Sequence, residues 1–331
     1  MYNFDENKVR QEHQNGVDII PKVESIVDQV CKEGYSNIFY IGIGGTVLYA
    51  NQMMHISKQL GSTLPLYIEN AADFNLVGNP FFNEKSVVVI ESISGDTKEV
   101  VEAVDKAHKV GAKVIGYVEK EETPLYEKSD YLVSTVGGGY YFWYTVTLRF
   151  MKNAGLFEKY DQFMKDIVHM PDAVVEIYKE VDEDAKAYAE KYCDEPITYL
   201  IGSGNLEDWA TCYGMCIMEE MQWMRTRPIS AANFFHGTLE VIERDIPVIL
   251  IKGEDITRPE MERVEKFVNT ISAKVSVFDT KKFKMEGIRQ EFRGMLAPIA
   301  MRSAFQRVNV HLEYFRRHPL AIRRYYRRLD Y

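Results

Sequence analysis

The sequence predicts an α/β protein made of two similar halves, each built on a parallel sheet. Three observations carry this expectation. Short apolar runs alternate with segments whose apolar residues recur at helical spacing, the pattern of strands joined by crossover helices. A glycine corner follows a strand twice, as Tyr40-Ile41-Gly42-Ile43-Gly44-Gly45 and as Leu200-Ile201-Gly202-Ser203-Gly204-Asn205. The two corners lie about 160 residues apart, which suits a duplicated domain and not a solenoid.

Length and composition bound the answer. A chain of 331 residues, 46% hydrophobic and 27% charged, is that of a globular protein with two domains or one large one. Its net charge of −9 argues against a nucleic-acid binder, although the C-terminal tail is locally basic. The N-terminus Met1-Tyr2-Asn3-Phe4-Asp5-Glu6 has neither a basic n-region nor an apolar core, and no apolar run reaches spanning length. A cytoplasmic location is therefore expected. Cys31, Cys193, Cys212 and Cys216 show no Cys-x-x-Cys pairing, so buried thiols are expected in preference to a metal site or disulfides.

Residues 5–34 carry spaced Val and Ile and read as amphipathic helix interrupted near Pro21. Residues 37–41 read as a strand, followed by the Gly42–Thr46 corner and a helix to about Leu60. The corner lacks the third glycine of a dinucleotide fingerprint, since position 47 is Val47. Residues 65–69 form the next strand. Then comes the stretch on which the chain is organised: Val87–Ile90 as a strand buried on both faces, the loop Ser92-Ile93-Ser94-Gly95-Asp96-Thr97, and a helix marked by Val100, Val101, Val104 and Ala107. Asp96 or Thr97 is placed to cap that helix, with Glu99 in its first turn. Free amides at the helix start, with the hydroxyls of Ser92, Ser94 and Thr97, suit an oxyanion. Without Gly-Lys-Ser/Thr, a phosphomonoester is favoured over a Mg-nucleotide. An ordinary capped helix would explain the loop equally well.

Strands at 113–118 and 131–136 continue the first half. Gly137-Gly138-Gly139 then breaks the rhythm before an aromatic helix to about Ala154, and residues 157–190 are again helical. The pattern restarts at 197–201, with strands at 246–251 and 275–278 matching those at 87–90 and 114–118. After the 246–251 strand, Lys252-Gly253-Glu254-Asp255-Ile256-Thr257 puts two carboxylates where the first half has serines. They would repel a phosphate, so one phosphate site per chain is expected, in the first half.

The second half has its own singular stretch, Met218-Glu219-Glu220-Met221-Gln222-Trp223 running to Asn233-Phe234-Phe235-His236-Gly237-Thr238. One helix is expected from Glu207 to about Trp223, then an Arg/Pro break at 225–228. Glu220 on a largely apolar helix and His236 before a glycine could form a general base and acid. A solvated glutamate and a capping histidine explain the spacing more simply. The remaining histidines have no metal-ligand spacing, and no nucleophile elbow is present. The tail, with Arg323, Arg324 and Tyr325, is either a solvated interaction segment or a closure over an anionic ligand.

Taken together, the Gly-Ile-Gly-Gly-Thr corner, Ser92-x-Ser94-Gly95-Asp96-Thr97, and Glu220 sixteen positions before His236-Gly237 resemble a double sugar-isomerase (SIS) domain protein. Within that group the chain is similar to bacterial fructosamine (fructoselysine) 6-phosphate deglycases. The stretches that carry this are Glu-Met-Gln-Trp at 220–223, Phe-Phe-His-Gly at 234–237, Asp255-Ile256-Thr257-Arg258-Pro259 and the His-Pro-Leu…Arg-Arg-Tyr tail. The resemblance implies two tandem SIS domains, each a parallel-sheet three-layer α/β/α sandwich. It sets an N-terminal helical segment at 1–34, the first domain at 35–156 and a helical connector at 157–190. The second domain then spans 191–318 and the tail 319–331.

The resemblance further implies that Gly44, Gly45, Thr46, Ser92, Ser94, Gly95 and Thr97 hold the substrate phosphate. Glu220 matches the family's general base and His236 its general acid. Arg323, Arg324 and Tyr325 are possible substrate contacts. In the related isomerase domain of glucosamine-6-phosphate synthase the matching histidine comes from the neighbouring subunit, which implies a homodimer with shared sites. The chemistry implied is hydrolytic deglycation of a phosphorylated sugar-amine to glucose 6-phosphate and a free amino acid, with no metal or organic cofactor and no nucleic-acid or membrane partner. Asn233, Thr238 and Ala232 depart from the residues common beside that histidine and bear on which amine is accepted. A phosphosugar aldose–ketose isomerase would use the same base and phosphate site. A non-catalytic sugar-phosphate sensor is the alternative of another class, against which the retention of Glu220 and His236 argues; residues 1–34 are also too short and acidic for the DNA-binding domain such sensors often carry.

Overall fold

The apolar runs are strands, and every pairing between them is parallel. A computed structural model describes residues 1–330, which fall into two units: Asn7–Pro171, and Met1–Glu6 with the chain from Asp172 on.

The N-terminal unit runs α1 (Glu6–Asp18), α2 (Ile20–Glu33), β1 (Asn37–Gly42), α3 (Gly45–Gln59), β2 (Leu66–Asn70), α4 (Ala71–Val77), β3 (Ser86–Ser92), α5 (Lys98–Val110), β4 (Lys113–Val118), α6 (Pro124–Lys128), β5 (Tyr131–Ser134), α7 (Gly139–Asn153) and α8 (Tyr160–Ile167). Its sheet has the order β2-β1-β3-β4-β5. Alternation along the strands sends Phe39, Ile41, Val88, Ile90 and Val114 to one face, where they pack with Phe74 of α4 and Val100, Val104 and Ala107 of α5. Tyr40 points the other way, edge-on to Trp143 of α7 at 4.9 Å with its hydroxyl 2.8 Å from Thr147. Helices therefore cover both faces, which is why β1 and β3 are apolar at consecutive positions. Arg149 of α7 binds Asp28 of α2 through two bonds of 2.7 and 2.5 Å, and that guanidinium holds the Asp28 carboxyl below its ordinary range.

The C-terminal unit contains α9 (Met170–Tyr192), β6 (Thr198–Gly202), α10 (Glu207–Cys212), β7 (Thr226–Ser230), α11 (Ala231–Phe234), β8 (Val248–Lys252), α12 (Arg258–Val268), β9 (Val275–Asp279) and α13 (Gln290–Arg316), with strand order β7-β6-β8-β9. The two sheets share a register. Gly42 is opposite Asn70 and Gly202 opposite Ser230; Ile41 is opposite Ile90 and Ile201 opposite Leu250. Each pair is displaced by about 160 residues, the spacing of the glycine corners.

Two expectations are corrected. Residues 226–230 are not a break but the edge strand β7; Pro228 is tolerated there because a sheet edge has a side that needs no ladder bond. The single helix expected from Glu207 to Trp223 stops at Cys212, and residues 213–219 are π-helix. Glu220 N–H bonds Met215 O at 3.1 Å and Gln222 N–H bonds Ile217 O at 3.0 Å, the five-residue reach of the wider turn.

Candidate active site

In the N-terminal unit the strand order reverses between β1 and β3, and the crevice at such a reversal, beyond the carboxyl ends of the strands, is where α/β sheets bind ligands. The loops that emerge there are Gly44-Gly45-Thr46, entering α3, and Ser92–Thr97, entering α5. Seven predicted phosphate ligands thus lie on two loops from adjacent strands. They are not alike. The Thr46 hydroxyl accepts from Ile43 N–H (3.2 Å) and donates to Ile43 O (3.1 Å), and the Ser92 hydroxyl accepts from Gly95 N–H at 3.1 Å, so both hold the shape of their own loop. Thr97 occupies the N-cap of α5 without capping it through its side chain. Gly95 has φ +69°, and a Cβ there would stand 2.1 Å from Thr123 Oγ1, so the turn requires glycine.

Glu91, immediately before this loop, was not anticipated. It is 1% exposed, accepts from Trp143 Nε1 at 2.5 Å, and leaves no room for a side chain at Gly139, whose Cβ would fall 2.1 Å from Glu91 Oε1. The triple glycine that interrupts the strand rhythm is the place where α7 closes against this carboxylate.

The matching crevice of the C-terminal unit, between β6 and β8, is filled by the protein itself. Asp255 Oδ2 accepts from Asn205 N–H at 3.3 Å, and Asp255 Oδ1 accepts from Thr257 N–H at 2.9 Å and from Thr257 Oγ1 at 2.6 Å. Ser203 Oγ is 2.9 Å from Thr257 Oγ1. Gly204, at φ +55°, has no space for a Cβ, which would meet Asp255 Oδ2 at 2.3 Å. Glu254 turns away to Arg293 (Nη2 at 2.8 Å, Nε at 3.0 Å) and Gln290 (2.9 Å). Burial pushes the Glu254 carboxyl up, but these donors outweigh it and hold it below its ordinary value.

The π-helix delivers two adjacent glutamates to different fates. Glu219 Oε1 accepts from Thr226 Oγ1 at 2.6 Å and Thr226 N–H at 3.3 Å, and so anchors the start of β7. Glu220 faces a groove of about 720 Å³ lined by Trp223, Met224, Arg225, Arg323, Arg324, Tyr325 and Tyr326 among others. Its Oε1 accepts from Arg323 Nε at 2.7 Å. Trp223 ends the turn at φ +55°, a conformation side chains avoid, with its ring between His318 (4.3 Å) and the Arg324 guanidinium (4.2 Å). The tail is pinned over this groove: the fully buried Gln222 donates to His318 O at 2.9 Å, and Leu320 N–H bonds Glu313 Oε1 at 3.1 Å. All three predicted tail contacts therefore line the groove of Glu220.

His236 is not among the residues lining that groove. It is exposed beyond α11, its N–H bonded to Asn233 O at 2.9 Å, and Gly237 follows at φ +137°. The corner that carries it repeats one in the other unit. Ser230 caps α11 by accepting from Asn233 N–H, as Asn70 caps α4 by accepting from Ala72 N–H. Counting from these caps, His236 stands where the N-terminal unit has Leu76, which is 87% exposed.

Parallel sheets of reversed strand order, with a hydroxyl-rich loop at one reversal, make this an α/β protein, and comparison with known proteins finds its likeness among phosphosugar proteins. Residues 34–157 match the SIS domain. Over 324 residues, 94% of this chain and 97% of the relative, the chain is 28% identical to the fructosamine deglycase FrlB of Bacillus subtilis. It is 22% identical over 93% of its length to the fructoselysine 6-phosphate deglycase of Escherichia coli K12, covering 90% of that protein. A solved Bacillus subtilis structure described as a phosphosugar isomerase matches with a TM-score of 0.89 at 25% identity, over 96% of this chain and 99% of that one. The C-terminal domain of glucosamine-fructose-6-phosphate aminotransferase from Francisella tularensis shares the fold, with a TM-score of 0.80 at 15% identity over 96% and 97% of the two chains. Residues 34–157 thus match the SIS domain, and along nearly its whole length the chain is similar to the fructosamine deglycases.

Proposed function

We propose that this chain is a fructosamine 6-phosphate deglycase made of two tandem SIS domains, each an α/β/α sandwich. The first domain binds the phosphate and the second supplies the base. The first crevice receives the 6-phosphate at the amides of Gly44 and Gly45 and the hydroxyls of Ser94 and Thr97, with Thr46, Ser92 and Gly95 shaping the loops. Asp255 supports this assignment from within the molecule: its carboxylate accepts from Asn205 N–H, Thr257 N–H and Thr257 Oγ1, which correspond in register to the Gly45 and Thr97 donors.

Glu220 removes the proton from C1 of the open-chain ketosamine, and the electron pair forms the C1–C2 double bond of a 1,2-enaminol. Protonation at C2 gives a C1 imine, and addition of water at C1 releases the amine and glucose 6-phosphate. His236 serves proton traffic at O2 or the departing nitrogen, reaching the site of a partner copy in a cytoplasmic homodimer. Phosphate held away from C1 supplies positioning energy.

The observation that carries the amine-releasing reading over a plain isomerase is the groove over Glu220. Its arginines and aromatic rings offer room and charge for a group attached at C1, which fructose 6-phosphate lacks. The test couples glucose 6-phosphate release to its dehydrogenase, with fructoselysine 6-phosphate and with fructose 6-phosphate. Release from the amine adduct, lost in Glu220→Gln, is expected; activity on fructose 6-phosphate alone would make the protein an isomerase.

A further inference from the structure

Glu220 and Arg323 satisfy each other in the fold. Arg323 Nε donates to Glu220 Oε1 at 2.7 Å, its Nη1 donates to Leu320 O (2.6 Å) and Ile322 O (3.1 Å), and Nη2 takes part in none of these bonds. The two side chains are 19% and 28% exposed, so neither is freely solvated. A base must release its partner before it can take a proton, and a half-buried guanidinium stripped of its carboxylate is left with an uncompensated charge. The exchange costs least if another carboxylate arrives as Glu220 leaves.

We propose that Arg323 is the specificity-determining residue of this groove and that it takes the carboxylate of an amino acid joined to the sugar through its α-nitrogen. The inference rests on the deglycase reading above and names the amine it releases. To remove the C1 proton, Glu220 comes within hydrogen-bonding reach of C1, and Arg323 is already within that reach of Glu220. In an α-linked adduct the carboxylate follows directly on the carbon that bears the nitrogen, so it falls beside C1 and within the span of the guanidinium fork. In a lysine adduct linked through its ε-nitrogen a chain of methylenes separates the two, and the carboxylate lies beyond Arg323. The planar fork suits this role, because it can hold either carboxylate through paired N–H donors. Arg324 is committed to the face of Trp223 at 4.2 Å and leaves the position beside Glu220 to Arg323. Substrate lacking the carboxylate leaves Arg323 on Glu220, and the base stays occupied. The amino-acid carboxylate thus both selects the substrate and frees the base that acts on it.

The test compares kcat/KM for the 6-phosphorylated fructosyl adducts of glycine and of methylamine, which differ only by the carboxylate, and of lysine linked through its α- or ε-nitrogen. Wild type is expected to favour glycine over methylamine by about 10- to 100-fold, the worth of a charge-assisted hydrogen-bonded pair, and α-linked over ε-linked lysine. In Arg323→Gln the glycine-to-methylamine ratio is expected to fall to near one, with partial return in Arg323→Lys. A merely structural role would depress both adducts together and leave the ratio unchanged. Equal turnover of the glycine and methylamine adducts by wild type, or an unchanged ratio in Arg323→Gln, overturns this inference alone. Absence of release from every adduct overturns the deglycase reading and this inference with it.

Discussion

The two crevices share almost everything except their contents. Both lie where parallel strand order reverses, both follow a glycine corner, and both end in a threonine at the N-cap of the next helix, Thr97 before α5 and Thr257 before α12. They differ in the residues between strand and helix. The first has Ser94-Gly95-Asp96, with glycine in the place that corresponds to Asp255. Glu254-Asp255-Ile256 in the second supplies a carboxylate that saturates the same kind of donors. The two sheets offer two crevices in one register, and on the proposed function a few loop residues decide which one a substrate can use. On the proposed function the second unit is relieved of phosphate binding and carries its chemistry on the π-turn before its edge strand.

The sharpest way to break this comparison is to remove the proposed base from the second unit. Glu220→Gln should lower turnover by about 10²- to 10⁴-fold, with KM changed little, in the coupled assay. A matching rise in KM would mean that Glu220 binds substrate and does not act on it. Next in size is the complementary change. Ser94→Ala with Thr97→Val should raise KM by about 10- to 100-fold by removing two hydroxyl donors to a dianion, with a smaller effect on kcat. Asp255→Ser should destabilise the C-terminal unit by about 2 kcal/mol, lowering its melting temperature by several degrees, as amides lose their part-buried acceptor. Inorganic phosphate should restore more of that loss in the variant than it adds to wild type.

The smallest expected effect is one of pH. Burial raises the Asp279 and Glu254 carboxyls, but hydrogen bonds from Arg258 and Arg293 hold both below their ordinary values in the fold. Such groups stabilise fully above their unfolded pKa of about 4, and that contribution is lost as pH falls through the folded value. Melting temperature should therefore hold from pH 8 to about 5 and drop below about 4, less steeply in Asp279→Asn. A drop already complete by pH 6 would assign the loss to other groups.

Much of this was legible in residue order because it rests on local patterns. Consecutive apolar residues at 87–90 mean burial on both faces, and the paired glycine corners marked the register that the two sheets share. What escaped depended on neighbours distant in sequence. β7 was hidden because Thr226-Arg227-Pro228 has a breaker's composition, and only its edge position makes Pro228 acceptable. The π-turn has no signature of its own, so a helix period was carried past Cys212. Glu254 and Asp255 were readable as hostile to phosphate, yet their partners Arg293, Asn205 and Thr257 come from three segments, and the substitution of carboxylate for ligand shows only in the fold. Arg323 was readable as a cation in the tail, but its pairing with Glu220 spans about a hundred residues.

The division of labour is tested most directly by calorimetric titration of glucose 6-phosphate into wild type, Glu220→Gln and Ser94→Ala/Thr97→Val. The account predicts one molecule per chain in the first two and none in the third at the same concentrations. Two molecules per chain in wild type, or undiminished binding by the loop variant, would contradict it.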